Sequence, residues 1–410
     1  MLRYDPTDPQ WASDPWPLYA ELREAGRLQR SEQGFWVVTR HADCQALLRD
    51  RRASSDSTQV DITKVPPAGL RRSVADDDGS LAQAEVDNRP FLFRDPPDHT
   101  RLRGLVAKAF TPKMIDGLRA RTEAIVAELL DAALERGELD VVADLAYPLP
   151  VRIICEMLGV PVADHERFQG WSAALARGLD PEFLLTEEVI AARMEAITSF
   201  GLYLLELLAE RRANPGDDLL SQLALAEEEG DTLSEEELIS TAILLLVAGH
   251  ETTVNLIAGG VLSLVQHPVQ LERLRSDPSV VRSGVEEMLR YVSPVQLTGR
   301  TLLEPMTVGE ADLEAGEFVI ILIGSANRDP MAFTDPEVFD LGRAPNHHLG
   351  FGFGIHHCLG APLARLEAQV AIPELLRRVE TIELVEDRPS YRRNVVLRGL
   401  ETLPVRLTAA

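Results

Sequence analysis

A single cysteine, Cys358, stands where a glycine-rich loop meets a helix, in Phe351-Gly-Phe-Gly-Ile-His-His-Cys-Leu-Gly-Ala-Pro-Leu-Ala-Arg365. Glycines at 350, 352 and 354 let backbone come close to a flat ligand and take positive φ. From Pro362 the pattern is helical, with Leu363, Leu366, Val370 and Leu375 on one apolar face. Cys358 therefore sits beside unpaired helix N–H groups and a positive dipole end, both of which favour a thiolate. Such a sulfur suits an axial bond to haem iron. Three other readings compete. A dinucleotide loop would need glycine where Ile355 stands, and no βαβ unit precedes it. His347, His348, His356, His357 and Cys358 match no tetrahedral zinc spacing. A lone Cys can also be plain core.

A second unusual stretch lies inside a helix. Ser234-Glu-Glu-Glu237 forms a capping box, and the helix it opens runs unbroken to about Gln266. Roughly 30 residues at ~1.5 Å rise make it about 45 Å long, enough to cross the whole protein. Its middle, Ala248-Gly-His-Glu-Thr-Thr253, places a glycine, an acid and two hydroxyls beside the apolar Ile243 to Val247. Gly249 costs ~1 kcal/mol relative to Ala, so such a break points to function. Ala248 and Gly249 leave room beside a flat cofactor. Thr252 can hydrogen-bond a diatomic ligand or water, and Glu251 can bring protons from solvent. Thr252 can equally back-bond to its own helix. A zinc-protease helix is excluded, because a second histidine is missing.

Two further pairs are unremarkable by themselves. In Asp95-Pro-Pro-Asp-His-Thr-Arg-Leu-Arg103, His99 and Arg103 share one helical face; alone, they read as a solvated pair. Glu287 and Arg290 in Val285-Glu-Glu-Met-Leu-Arg-Tyr291 read as a surface ion pair worth little.

In order and context these stretches resemble the cytochrome P-450 superfamily, soluble bacterial type. The resemblance runs from Asp95 to Arg365 and, with the total length, extends to the whole chain. It implies a mainly α fold with a small β region, a single domain over residues 1–410, and haem b between the long helix at Ala248 and the Cys358 loop. Cys358 would ligate the iron within a cradle that includes Phe351, Gly352, His356 and Gly360. His99, Arg103 and Arg300 would hold the propionates, while Thr252 and Glu251 deliver protons. Glu287, Arg290 and Arg343 would form a structural network behind the haem. Leu245, Gly249, Val295, Leu297 and Val396 would line an apolar substrate pocket.

The implied reaction inserts one atom of O2 into a C–H bond or alkene of an apolar small molecule. With no flavin domain, no dinucleotide loop and too few cysteines for an iron–sulfur cluster, electrons from NAD(P)H would arrive through a separate ferredoxin and ferredoxin reductase. Arg101, Arg103, Lys108 and Lys113 would form a basic patch for that acidic partner. A peroxide-driven haem-thiolate enzyme and a non-catalytic haem sensor are the alternatives.

Composition narrows the setting. The 410 residues carry a formal charge of −24 at pH 7, which argues against nucleic acid. Three cysteines, Cys44, Cys155 and Cys358, form no disulfide framework and fit a reducing cytosol. The N-terminus has no apolar signal region, and the longest apolar run, Ala242 to Ala248, is too short for a bilayer. A soluble, cytoplasmic monomer is expected, without membrane or nucleic-acid partners.

Among the elements, Leu18 to Ala25 and Ala42 to Leu48 read as short helices around a strand in Gly34 to Arg40. Ala53 to about Arg89 has no period and reads as a long loop, a lid or plain surface. Helices follow at Met114 to Leu134, Val151 to Leu158, Asp164 to Leu175 and Thr186 to Glu210. Val308 to Ile323 reads as hairpin strands around Ala315-Gly316, and Ile382 to Leu407 as β; the resemblance implies that its turn near Val396 would reach into the pocket.

Overall fold

The long helix forms as its sequence dictates in the computed structural model. Ser234 Oγ accepts from Glu237 N at 3.2 Å, and Glu237 Oε2 accepts from Ser234 N at 2.9 Å. The helix spans Glu235–Gln266, 32 residues. By length and composition it could cross a membrane, but 78% of its most apolar window is buried inside the protein, as in a core helix. Helices Pro148–Met157, His165–Arg177, Glu187–Ala213, Val281–Val292 and Ala361–Arg378 pack around it. Their apolar faces merge into one large cluster, from Leu102 through Leu149 and Ile257 to Leu375.

The structure describes residues 4, 5, 8, 10–31, 34–61, 64, 89–177, 179–180, 185–228, 230–309 and 311–409. Most of the expected long loop, including the two prolines at 66 and 67, lies outside the described residues. Its described edges are the strand Ala53–Ser54 and a short turn at Ser57–Gln59.

The β portion is small. One sheet has five strands in the order Leu28–Arg30, Trp36–Val38, Phe318–Ile321, Thr298–Leu302, Ala53–Ser54, and only the second and third run parallel. Its two faces pack into separate clusters, one around Val38, Val319 and Leu349, the other around Leu22, Leu297 and Ile320. A second sheet joins Val379–Leu384, Pro404–Ala409 and Glu138–Asp140. The molecule is thus mainly α with a small β region.

Three expectations need correction. Met114 to Leu134 is two helices, Pro112–Gly117 and Arg119–Arg136. After the poor helix former Gly117 the turn tightens, and Leu118 N bonds Ile115 O at 3.1 Å. So tight a step barely disturbs the apolar phase, so periodicity runs through it. The hairpin of Met306–Val308 with Ala311–Leu313 turns at Gly309, not at Ala315-Gly316; the strand beyond Gly316 pairs instead with Thr298–Leu302. Finally, Ile382 to Leu407 is β only at its ends, because its middle is an irregular loop that reaches toward the Val295 segment.

Candidate active site

The cysteine loop is shaped by its glycines. Gly352 and Gly354 have φ of 70° and 74°, and a Cβ on Gly354 would lie 2.5 Å from Leu48 O. Cys358 N donates to Phe351 O at 2.9 Å, closing the loop just before helix Ala361–Arg378. Cys358 is exposed, yet protein crowds its sulfur enough for desolvation to push the thiol up. Backbone N–H groups of Gly360 and Ala361, with the charges of Arg103 and Arg365, oppose that push.

Beside the loop lies an unusual set of buried donors. His99 is 2% exposed and neither ring nitrogen has a partner among the described residues. Its ring centroid is 4.2 Å from that of His356, whose Nδ1 is also unpartnered while Nε2 meets Ser55 Oγ at 3.1 Å. Arg300 is 6% exposed and, among the described residues, bonds only its own strand, Gly299 O at 2.7 Å and Thr298 Oγ1 at 3.3 Å. Arg103 donates to His357 O. Burial, then the charges of Arg300, His99 and Arg103, push the His356 imidazole down to about 3; desolvation takes Arg300 down to about 10. Among the described residues no carboxylate bonds any of the four. Asp95, whose charge Arg300 feels, is held by Ser54 Oγ and, at 3.2 Å, Ser55 N. Buried cations and orphaned donors at one place call for an anion, and the two carboxylates of a haem fit that demand.

In the central helix, the polar break is only partly open. Ala248 is exposed; Gly249 and Thr252 are half-buried. Thr252 Oγ1 donates to Ala248 O at 3.0 Å, the back-bonded form. A Cβ on Gly249 would make only ordinary contact, 3.5 Å from Ile154. Glu251 does not reach solvent: it is 1% exposed. Its Oε2 accepts from Arg392 Nη1 at 2.8 Å and its Oε1 lies 3.5 Å from His250 Nε2. Burial pushes this carboxyl up, but His250 and Arg392 outweigh it and hold it below the usual range. His250 continues the chain, with Nε2 at 2.5 Å from Ser172 Oγ and Nδ1 at 2.6 Å from Leu246 O. Sequence reasoning missed Arg392, His250 and Ser172. Arg392 follows Glu251 by 141 positions, so no local spacing marks the pair.

Behind the loop, Glu287 and Arg290 are both fully buried, joined by two bonds of 2.8 Å. Arg343 Nε reaches Glu287 at 3.1 and 3.2 Å, and Asn346 Nδ2 joins at 3.2 Å, a partner the sequence did not reveal. The surface-pair reading is overturned: Val281–Val292 turns this face inward.

A family profile described as Cytochrome P450 matches residues 72–406. The chain belongs to the cytochrome P450 family. It is 39% identical to "Polyketide biosynthesis cytochrome P450 PksS" of Bacillus subtilis (strain 168), over 99% of each chain. It is 41% identical to "Mycinamicin IV hydroxylase/epoxidase" of Micromonospora griseorubida, over 94% of each. A crystal structure of P450BioI, solved with hexadec-9Z-enoic acid ligated acyl carrier protein, superposes with a TM-score of 0.88 at 37% identity, covering 97% of this chain and 99% of that one. The protein is therefore a P450 monooxygenase whose cofactor is haem.

The remaining expected residues of this P450 fall in two places. Val295 bridges to Leu397, and Gln296 N donates to Val396 O at 2.8 Å, so the Val295, Leu297 and Val396 segments are brought together. Leu297 is 3% exposed within the sheet cluster, and Leu245 is buried on the central helix. The Val396 loop is also tied to the end of helix His165–Arg177. Asp180 accepts from Val395 N at 3.0 Å and Val396 N at 2.8 Å, and Arg177 Nη1 donates to Asn394 Oδ1 at 2.7 Å. In the expected basic patch, Lys108 and Lys113 are exposed, whereas Arg101 pairs with Glu237 and Asp231.

Proposed function

We propose that this P450 inserts one atom of O2 into a C–H bond or alkene of an apolar small molecule, of polyketide or fatty-acyl type. The other oxygen atom leaves as water, with two electrons and two protons consumed. Electrons would come from NAD(P)H through a separate ferredoxin reductase and ferredoxin, with Lys108 and Lys113 as the basic contacts. We further propose haem b as the bound form, one domain over residues 1–410, and a cytoplasmic monomer. The substrate class rests on the names of PksS, the mycinamicin enzyme and P450BioI, together with the apolar character of Leu245, Val295, Leu297 and Val396.

The observation that carries the reading is the anion-hungry set His99, His356, Arg300 and Arg103 beside an exposed, backbone-bonded cysteine. His99, Arg103 and Arg300 would bind the propionates, with Phe351, Gly352, His356, Gly360 and Ala248 shaping the walls, and Cys358 giving the axial sulfur. Bound haem supplies the oxidising chemistry itself, and sulfur donation favours O–O cleavage. Thr252 and Glu251 handle protons. In its present bond the Thr252 hydroxyl spends its hydrogen on Ala248 O, so donation to any other acceptor requires that bond to yield. Glu251 is ionised beside His250 and can hold a proton on its carboxylate for that chemistry. Arg392 holds the carboxylate while this happens.

Purified holoenzyme should give a ferrous carbonyl adduct with the red-displaced Soret band of sulfur ligation, and a library of polyketides and fatty acyl compounds should yield a high-spin shift. A carbonyl band at the position of nitrogen ligation would overturn the Cys358 assignment. Peroxide-driven turnover equal to turnover with ferredoxin would overturn the electron route.

A further inference from the structure

Phe351 and Arg365 lie equally far before and after Cys358 in sequence, and the fold stacks them. The Arg365 guanidinium carbon sits 4.5 Å from the centroid of the Phe351 ring. Glu286 clamps that guanidinium with two bonds, Nε to Oε1 at 2.6 Å and Nη2 to Oε2 at 2.8 Å. Its Oε2 also lies 3.0 Å from His348 Nε2. On the other side of that ring, Gly350 N donates to His348 Nδ1 at 3.1 Å. Nδ1 is thereby the acceptor, which fixes the proton on Nε2 and aims it at Glu286. One carboxylate therefore holds both the cation beyond Phe351 and, through His348, the first residue of the ligand loop. Burial works against the Glu286 charge, but Arg365 and His348 prevail and hold its carboxyl down at about 2. Arg365 and the Cys358 sulfur feel each other's charge.

The proton-handling residues do not use this cluster. It differs from the neighbouring Glu287 knot too, because its arginine is 33% exposed and stacks on an aromatic of the ligand loop. We propose that Arg365 is a positioning residue that sets the electron affinity of the sulfur-ligated site, and that Glu286 meters how much of its charge reaches the sulfur. The proposal rests on Cys358 being the iron's thiolate. Reduction adds one electron to a centre that already carries that thiolate's negative charge. A cation behind Phe351 favours the reduced form, and a carboxylate on that cation takes back part of the effect. Among the described residues, Arg103 from helix Asp98–Ala109, His99 from the same helix, Arg300 from strand Thr298–Leu302, and His356 and His357 of the loop also bring charged or titratable groups to the site, so the Arg365 contribution is read by substitution rather than in absolute terms.

The test is dye-mediated potentiometric titration of the ferric/ferrous couple in full-length holoenzyme. Arg365→Met should move the midpoint to more negative potential, and Glu286→Gln to more positive potential, since Gln keeps an acceptor for Arg365 but no charge. Arg365→Lys should stay near the parent value. Midpoints that do not move, or that move in the same direction for Arg365→Met and Glu286→Gln, would overturn the proposal. Arg365→Lys falling as far as Arg365→Met would reduce the residue to packing. If Arg365→Met fails to fold, the sign of the Glu286→Gln shift decides alone. The ferrous carbonyl spectrum of the parent is read in parallel, so that loss of sulfur ligation is seen separately from a missing shift.

Discussion

Arg290 and Arg300 are both buried arginines, and they could hardly be treated more differently. Arg290 is fully enclosed, with two bonds to Glu287 and three to the carbonyls of Asn327, Pro336 and Val338, all between 2.8 and 3.1 Å. Arg300 is 6% exposed and, among the described residues, finds only a carbonyl and a hydroxyl of its own strand. The chain completes the first arginine by itself and leaves the second, with His99 and His356, short of a counter-ion. A satisfied buried charge is architecture; an unsatisfied one marks where a ligand belongs.

Removing one partner tests the contrast most strongly. Glu287→Ala leaves Arg290 uncompensated and should cost ~3–5 kcal/mol of stability, in the range for a broken buried pair, measurable as a fall in the denaturant midpoint of haem-free protein. Arg300→Leu should behave in the opposite way. Without haem it removes an unpaired buried charge and should be neutral or mildly stabilising. With haem, transfer to a scavenging apoprotein should speed up roughly tenfold, the equivalent of ~1.4 kcal/mol for one lost charge-assisted bond. If Arg300→Leu destabilised the haem-free chain as much as Glu287→Ala, the two arginines would be alike after all.

The pH dependence sharpens the same point. His356 is held at about 3, below its ordinary value of ~6.5. The unfolded chain therefore binds this proton more readily than the folded one, and stability is lost as pH falls below ~6.5. Between pH 6.5 and 5, haem-free parent protein should lose denaturant resistance, and His356→Asn should lose less; equal slopes would show that the site does not resist a proton there. The Glu286 loss, from a group held at about 2, begins only below its ordinary value of ~4.3 and stays out of that window. The smallest change in stability should come from Thr252→Ala, which removes one intrahelical bond and should shift stability by less than ~0.5 kcal/mol. Its effect belongs to chemistry instead: more peroxide and less product per electron pair, so tightly coupled turnover would remove Thr252 from its role.

Much of the site could be read directly because it is local. The capping box at Ser234 and the glycines around Cys358 each carry their meaning within a few residues, whereas the Glu287–Arg290 spacing alone reads as a surface pair and takes its inward role from the resemblance. The resemblance supplied the distant member, Arg343, which geometry then joins to Glu287. What escaped was set by tertiary contact. Nothing in His250-Glu-Thr-Thr announces that Ser172 and Arg392 will close around it, nor that Glu251 will be sealed from solvent. The break at Leu118 escaped for another reason, since a single tightened turn leaves the apolar stripe almost in phase.

The loop from Tyr391 to Arg398 fastens helix His165–Arg177 through Asp180, the pocket strand through Val295 and the buried acid through Arg392. Three regions far apart in the gene thus share one clasp. Chimeras made to alter substrate choice would have to exchange Arg177 and Asp180 together with the 391–398 segment as a single cassette, because either half grafted alone would meet a mate cut for another key.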